Sequence, residues 1–280
     1  MKIIENKEFE GERPLFNSSN LKLKNVKFNF GESPLKESKN LSLENVTFTY
    51  KYPLWYSKNV VVKDSLLKDL ARSGVWYTHN ITFENCLIEI EKTLRRSSNI
   101  NLKKVIFSNA KETLWKCKNI DIEDVKVSGD YFGMNSKNIV ANKLVIDGNY
   151  CFDGAKNIHI KNSILNSKDA FWNTKNVVIE NSIIIGEYIG WNSKNVTLIN
   201  CQVESNQGFC YMKNLNLINC KFKNVTLAFE FSIVKGNVLT SIDSIKNPKK
   251  IKLHCKKVDE LILEDKFVNH KKIKITEEES

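Results

Sequence analysis

Proline is scarce in this chain, four residues in 280, and only eleven glycines accompany it. That shortage excludes a collagen-like or low-complexity chain and leaves little room for long disordered linkers. Long apolar runs are missing too. None approaches the ~20 residues that span a bilayer, so neither a transmembrane helix nor a membrane partner is expected. The opening stretch MKIIENKEFEGE is charged and lacks the apolar centre of a secretory signal. The four histidines, His79, His159, His254 and His270, have no zinc-site spacing. Clustered carboxylates of a calcium site, a phosphate-binding loop, a dinucleotide fingerprint and a nucleophile elbow are all absent. The sequence therefore calls for no metal and no cofactor. Seven cysteines, an odd number without a leader, imply reduced thiols and a cytoplasmic location.

What the chain has is positive charge and a repeat. Lys and Arg total 43 against 32 Asp and Glu, a net charge of +11 that favours anionic partners. A short phrase recurs: small residue, Lys, Asn, aliphatic, any, aliphatic, any, Asn or Asp. Its anchor Asn falls at Asn20, Asn40, Asn59, Asn80, Asn99, Asn119, Asn138, Asn157, Asn176, Asn195 and Asn214. The intervals are 20, 19, 21, 19 and 20, then 19 five times. A period near twenty is the signature of a solenoid.

Columns read from the anchor give the coil. One and three residues after it stand aliphatics, such as Leu41 and Leu43, Val60 and Val62, or Val196 and Leu198. This period of two with β-branched residues marks a half-buried strand. Five after the anchor comes Asn or Asp, as at Asn25, Asn45, Asp64 and Asn200, and then a second short strand. Helical spacing is absent. Stacked Asn side chains hydrogen-bond to one another and tolerate left-handed turns. Four after the anchor, Lys24, Glu44, Lys63, Glu84, Lys103 and Glu123 alternate in sign, which suits coils stacked in register. The expected architecture is all-β: one single-stranded, right-handed parallel β-helix of about eleven coils over 1–280. Residues 1–13 form an N-terminal cap, 14–232 the regular coils, and 233–280 divergent coils and a C-terminal cap.

This organisation resembles the right-handed β-helix proteins of the pectin-lyase-like fold. The phrases PLWYSKN, FWNTKN and GWNSKN, each followed by aliphatic-x-aliphatic-x-Asn or Asp, more closely resemble an uncharacterised bacterial domain family of unknown function. The resemblance spans roughly residues 1–265. It implies the fold and carries no catalytic residue across.

Four residues before the anchor, one column holds every tryptophan: Trp55, Trp76, Trp115, Trp172 and Trp191, with Arg95 and Asp153 among them. The next column contains Tyr56, Tyr77 and Arg96, with Asn173, Asn192 and Tyr211. The column before the tryptophans is apolar or glycine and reads as core. An outward row of aromatic rings with amide and basic neighbours is a groove for a polymer, a glycan foremost, or another anionic chain. Strict alternation would turn the tryptophans inward, so this assignment requires a turn between columns. Lysine immediately precedes the anchor at Lys58, Lys118, Lys156, Lys175, Lys194 and Lys213, among others. Such a row suits an anionic chain or simply a solvated edge.

Non-catalytic glycan binding through Trp55, Tyr56, Trp76, Tyr77, Arg95, Arg96, Trp115, Trp172 and Trp191 is the first expectation. The second is an assembly module. Seven residues after the anchor lie Leu66, Leu87, Ile106, Val145, Ile164 and Ile183, with Lys126 interrupting, an outward apolar strip for the tail or a second copy to cover. The third is a carbohydrate-active lyase or hydrolase, for which Asp153 and Asp169 are the candidates, with Asp130 and Glu187 nearby in sequence.

Overall fold

Asn45 shows how a coil is turned. In the strand Lys39–Phe48 the side chains of Leu41, Leu43, Val46 and Phe48 are buried, so alternation is interrupted once. The interruption is Asn45, whose φ of 51 lies in the left-handed region. That corner lets Glu44 and Asn45 both face outward while Leu43 and Val46 both face in. Glu37 (φ 61) and Asn40 (φ 55) make corners of the same kind earlier in the coil. Left-handed backbone disfavours most L-residues by roughly 1–2 kcal/mol, and Asn least among those with a side chain. The recurrent Asn therefore marks where the chain must bend.

The computed structural model describes residues 1–278, and short parallel strands dominate it. The fold is a parallel β-solenoid of about 15 turns rather than eleven. Packing divides the chain into two compact units, Met1–Val145 and Ile146–Ser280. In the first unit, Lys2–Phe9 pairs with Ser19–Phe28, which pairs with Lys39–Phe48, each in parallel register. Lys58–Lys63, His79–Ile88, Ser98–Phe107 and Lys118–Ser128 follow, again pairing column to column. The expected N-terminal cap is thus a coil: Asn6, with φ 52, accepts from Asn25 Nδ2 at 2.9 Å. Its anchor position falls at Met1, which hides the repeat. A 3₁₀ turn at Asp69–Ala71 accounts for the one interval of 21.

In the second unit, Lys156–Lys161, Lys175–Glu180, Lys194–Ile199 and Lys213–Thr226 stack in unbroken register. The coils continue past residue 232. Ile233–Val238 pairs with Lys213–Thr226, Lys250–Cys255 pairs with Ile233–Val238, and Ile273–Glu277 with Lys250–Cys255. A further strand, Val258–Ile262, pairs with Ile242–Lys246. Gly236 occupies an inward aliphatic column here. A Cβ on it would lie 1.8 Å from the Leu217 carbonyl oxygen, so this bulge admits only glycine.

Each core is built of columns. Phe9, Phe28 and Phe48 stack at 5.3 and 5.1 Å in the first unit; Phe209 stacks on Phe222 and Phe229 in the second. Full burial of a ring, as at Phe28 and Phe48, contributes roughly 1.5–3 kcal/mol, and Phe9 is half-buried. All seven cysteines are buried and free. Burial pushes the Cys86 and Cys201 thiols up to about 11, as expected of small core residues.

The anchor asparagines form hydrogen-bonded ladders. From Asn40 to Asn138, each Nδ2 donates to the preceding Oδ1 at 2.7–2.9 Å; from Asn176 to Asn214 the distances are 2.9–3.1 Å. The alternating charges meet at Lys24–Glu44 (3.6 Å), Lys63–Glu84 (2.8 Å) and Lys103–Glu84 (3.2 Å). The Glu84 carboxyl is held below its ordinary range first by Lys63 and then by Lys103.

Candidate ligand-binding face

The tryptophans lie outside. Leu54 before Trp55 and Ser57 after Tyr56 are fully buried, while Trp55 is half-buried and Tyr56 is 46% exposed. The turn that this requires is Tyr56 itself, with φ 57, and Tyr77 (φ 58), Arg96 (φ 49), Asn173 (φ 54), Asn192 (φ 56) and Tyr211 (φ 57) repeat it. A left-handed corner directs two successive residues outward at Trp55 and Tyr56, Arg95 and Arg96, Trp172 and Asn173, and Trp191 and Asn192, whereas Cys210 before Tyr211 is buried. The tryptophan column and its neighbour therefore run side by side on one face within each unit.

In the first unit the rings are in close register. Trp55 and Trp76 stack at 5.2 Å with an interplanar angle of 11°, and Tyr56 and Tyr77 at 4.8 Å and 7°. The Arg95 guanidinium continues the stack, 5.2 Å from the Trp76 ring centre and 4.5 Å from that of Trp115. Arg96 lies over Tyr77 at 6.0 Å. Indole N–H groups donate to turn carbonyls of the next coil: Trp55 to Ser73, and Trp76 to Lys92 at 2.6 Å. The ring faces here lie against one another and against guanidinium, so the rims are what solvent meets.

In the second unit the rings fan apart. Trp172 and Trp191 are 6.0 Å apart and tilted 31°, Trp191 and Tyr211 4.9 Å and 41°, and Tyr211 and Phe231 5.4 Å and 44°. The Trp172 indole donates to Tyr188 O at 2.9 Å. At the end of this fan a groove of about 410 Å³ opens, lined by Asn192, Tyr211, Met212, Lys213, Phe231, Ile233, Asn247, Lys249, Phe267 and Val268. It is largely apolar with a few amides and ammonium groups, the composition of a small-molecule or sugar site. Asn247 is 5% exposed and its Oδ1 accepts from the backbone N–H of Glu264 and Asp265, holding the segment that carries Phe267.

Beside this fan runs the lysine column. Lys156, Lys175, Lys194 and Lys213 are exposed and in direct register on successive coils. Adjacent coils lie about 4.8 Å apart. None of the four has a carboxylate within salt-bridge distance among the described residues, and Lys213 reaches the groove itself.

A family profile described as a protein of unknown function (DUF3737) matches residues 2–276. The chain belongs to this family. Among solved structures, PfbA, a surface adhesin of Streptococcus pneumoniae, is 9% identical, with 91% of this chain and 82% of that one covered and a TM-score of 0.44. QnrB1, a plasmid-mediated fluoroquinolone resistance protein, is 11% identical over 79% and 84% with a TM-score of 0.19. No curated protein matches the chain.

The family match takes in both aromatic regions and the groove. Sequence reading brought Tyr211 and Lys213 into view but not Phe231, Asn247, Lys249 or Phe267. Phe231, with φ 53, continues the Tyr211 column one coil later. Its anchor position is Ile233 instead of Asn, which removed the signal.

The carboxylate candidates serve the turns. Asp153 accepts from Asn173 Nδ2 at 3.3 Å. Asp169 is 3% exposed and bonded to Tyr150; burial pushes its carboxyl up, and the Tyr150 bond partly offsets this. Glu187 pairs with Lys168 at 3.1 Å. Along the apolar strip, Leu87, Ile106, Val145 and Ile164 are 36–47% exposed, while Leu66 and Ile183 are half-buried. The tail strands pair within their own unit, on Ile242–Lys246 and Lys250–Cys255.

Proposed function

We propose that this protein binds an acidic glycan without transforming it, on the aromatic and lysine columns of the second unit. The supporting observation is the side-by-side course of the two columns into one groove. Lys156, Lys175, Lys194 and Lys213 repeat at the coil spacing without carboxylate partners, and the tilted rings of Trp191, Tyr211 and Phe231 end where Lys213 and Lys249 line the cavity. Stacked ammonium groups repel one another, and a chain bearing regularly spaced carboxylates relieves that repulsion. Sugar rings present apolar faces to aromatic side chains, and the amides of Asn192 and Asn247 suit their hydroxyls.

Titration calorimetry with an oligogalacturonate and a neutral cellodextrin tests this. The acidic oligomer binds more tightly, its affinity falls as salt rises, and Lys175→Ala with Lys194→Ala weakens it about tenfold or more. Equal or absent binding of both oligomers defeats the proposal.

An assembly role is the second reading, favoured by the exposure of Leu87, Ile106 and Val145 in one column of the first unit, which Lys126 interrupts between Ile106 and Val145. Exposed apolar strips are commonly covered by a partner, here a second copy of the chain. Sedimentation should then show a dimer that Leu87→Asp with Ile106→Asp dissociates. A monomer at all concentrations removes this reading.

A further inference from the structure

The aromatic stack of the first unit is broken by an arginine rung, and the break is a notch of about 260 Å³ lined by Trp76, Tyr77, Arg95, Arg96, Trp115 and Lys116. Three cations meet there. Arg95 is spent: its guanidinium is sandwiched between two indoles and paired with Glu112. It forms one wall. Arg96 and Lys116 are exposed and, among the described residues, have no carboxylate partner. The notch thus carries two uncompensated positive charges.

A second, independent observation falls on the same two turns. Among the described residues, the buried side-chain polar atoms without a hydrogen-bond partner are Thr93 Oγ1, Thr113 Oγ1 and Trp115 Nε1. All three belong to the turns that supply Arg95 and Trp115; the two threonines are fully buried, and Trp115 is the one that lines the notch. The indoles of Trp55, Trp76 and Trp172 donate to a carbonyl of the next coil, and Trp115 departs from that pattern. Buried donors left unmade cost about 1–3 kcal/mol each, and a cluster of them in a native fold calls for a cause. An indole N–H only donates, so what completes it must be an acceptor.

We propose that this notch is a binding site for an oxyanion, a sulfate, phosphate or carboxylate group on a small molecule. The planar Arg96 fork matches two oxygens of such a group, Lys116 adds a point charge, and the rings of Tyr77 and Trp115 shield the contact from water. The cavity lies below the usual ~300–1,000 Å³ of sites that enclose a drug-sized ligand, so one charged group fits rather than a chain. The site belongs to the first unit and does not rest on the glycan groove.

The test uses the full chain with sodium sulfate, sodium phosphate and glucuronate as separate probes, at constant ionic strength maintained with chloride. Tryptophan fluorescence and calorimetry read the binding. Saturable binding is expected, weakened about tenfold or more by Arg96→Ala with Lys116→Ala and unchanged by Lys7→Ala, which removes an exposed lysine elsewhere in the first unit. Sulfate or phosphate binding alone assigns the site to the tetrahedral ions, and glucuronate binding alone to a sugar carboxylate; either supports the proposal. Arg96→Gln keeps the stem of the side chain and should weaken binding similarly without altering the unfolding midpoint. No saturable binding by any probe, or binding indifferent to these substitutions, overturns it.

Discussion

The two aromatic ladders are built from the same columns on the same corners, yet one is closed and the other open. In the first unit, successive rungs are alike: Trp55 with Tyr56 lies under Trp76 with Tyr77, and like rings stack within 11° of parallel. In the second unit the rungs change. Trp172 and Trp191 share one column yet are tilted 31°, and the aromatic residue then moves to the neighbouring column at Tyr211 and Phe231, so that Trp191 and Tyr211 meet diagonally at 41°. Like rungs consume one another's faces and stabilise the coil. Unlike rungs leave faces tilted and a groove beside them. The shift of column between Trp191 and Tyr211 is one difference between the two ladders, since the left-handed corners are shared.

The sharpest way to break this comparison is beneath the open ladder. Phe209 is 1% exposed and packs on Phe222 and Phe229 under the groove. Phe209→Ala is expected to lower stability by roughly 3–5 kcal/mol, read by urea unfolding, because the rigid coils on either side cannot close the cavity. A loss below about 1 kcal/mol would mean that the second unit repacks freely, and the fan could not then be a preformed site. Next in size is the pair Trp76→Ala and Trp191→Ala. Trp76 has a parallel neighbour, a guanidinium on its other side and a bonded N–H, so its removal should cost about 2–4 kcal/mol. Trp191, more loosely stacked, should cost about half as much. Equal losses would erase the distinction between closed and open ladders.

Much of this architecture was legible because a solenoid writes each structural position as a column. Inward Leu41, Val60 and Ile81 were readable from alternation, and the Asn ladder from its period. The outward tryptophans were readable only by admitting a corner at Tyr56, where a residue seldom found with positive φ gives no sign of it. Two features stayed hidden. The coil at Lys2–Phe9 and those after residue 232 lack the anchor Asn, so they carry the geometry without the phrase. The groove was hidden because a column names which residue stands at each rung and does not record how far neighbouring rings tilt. The unpaired indole of Trp115 is likewise a matter of one missed contact, invisible to any pattern.

The smallest effect expected belongs to a feature that the two units share, and it serves as the control. Asn119, at φ 57, donates to Asn99 Oδ1 at 2.8 Å and accepts from Asn138 Nδ2 at 2.9 Å. Asn195, at φ 55, donates to Asn176 Oδ1 at 3.0 Å and accepts from Asn214 Nδ2 at 3.1 Å. Each Ala substitution removes two exposed hydrogen bonds and places a Cβ-bearing residue without a polar side chain in a left-handed corner. Exposed bonds contribute little net, so the backbone should dominate, and a loss of about 1–2 kcal/mol is expected for Asn119→Ala and Asn195→Ala alike. Asn119→Gly separates the two contributions. It deletes the same bonds but relaxes the corner, and should lose less than the Ala variant despite the extra freedom of Gly in the unfolded chain. If Gly instead proves the worse substitution, the ladder bonds rather than the corner specify the anchor. The repeat would then be held by its side chains, and the ring stacks above it would count for correspondingly less in keeping the coils in register.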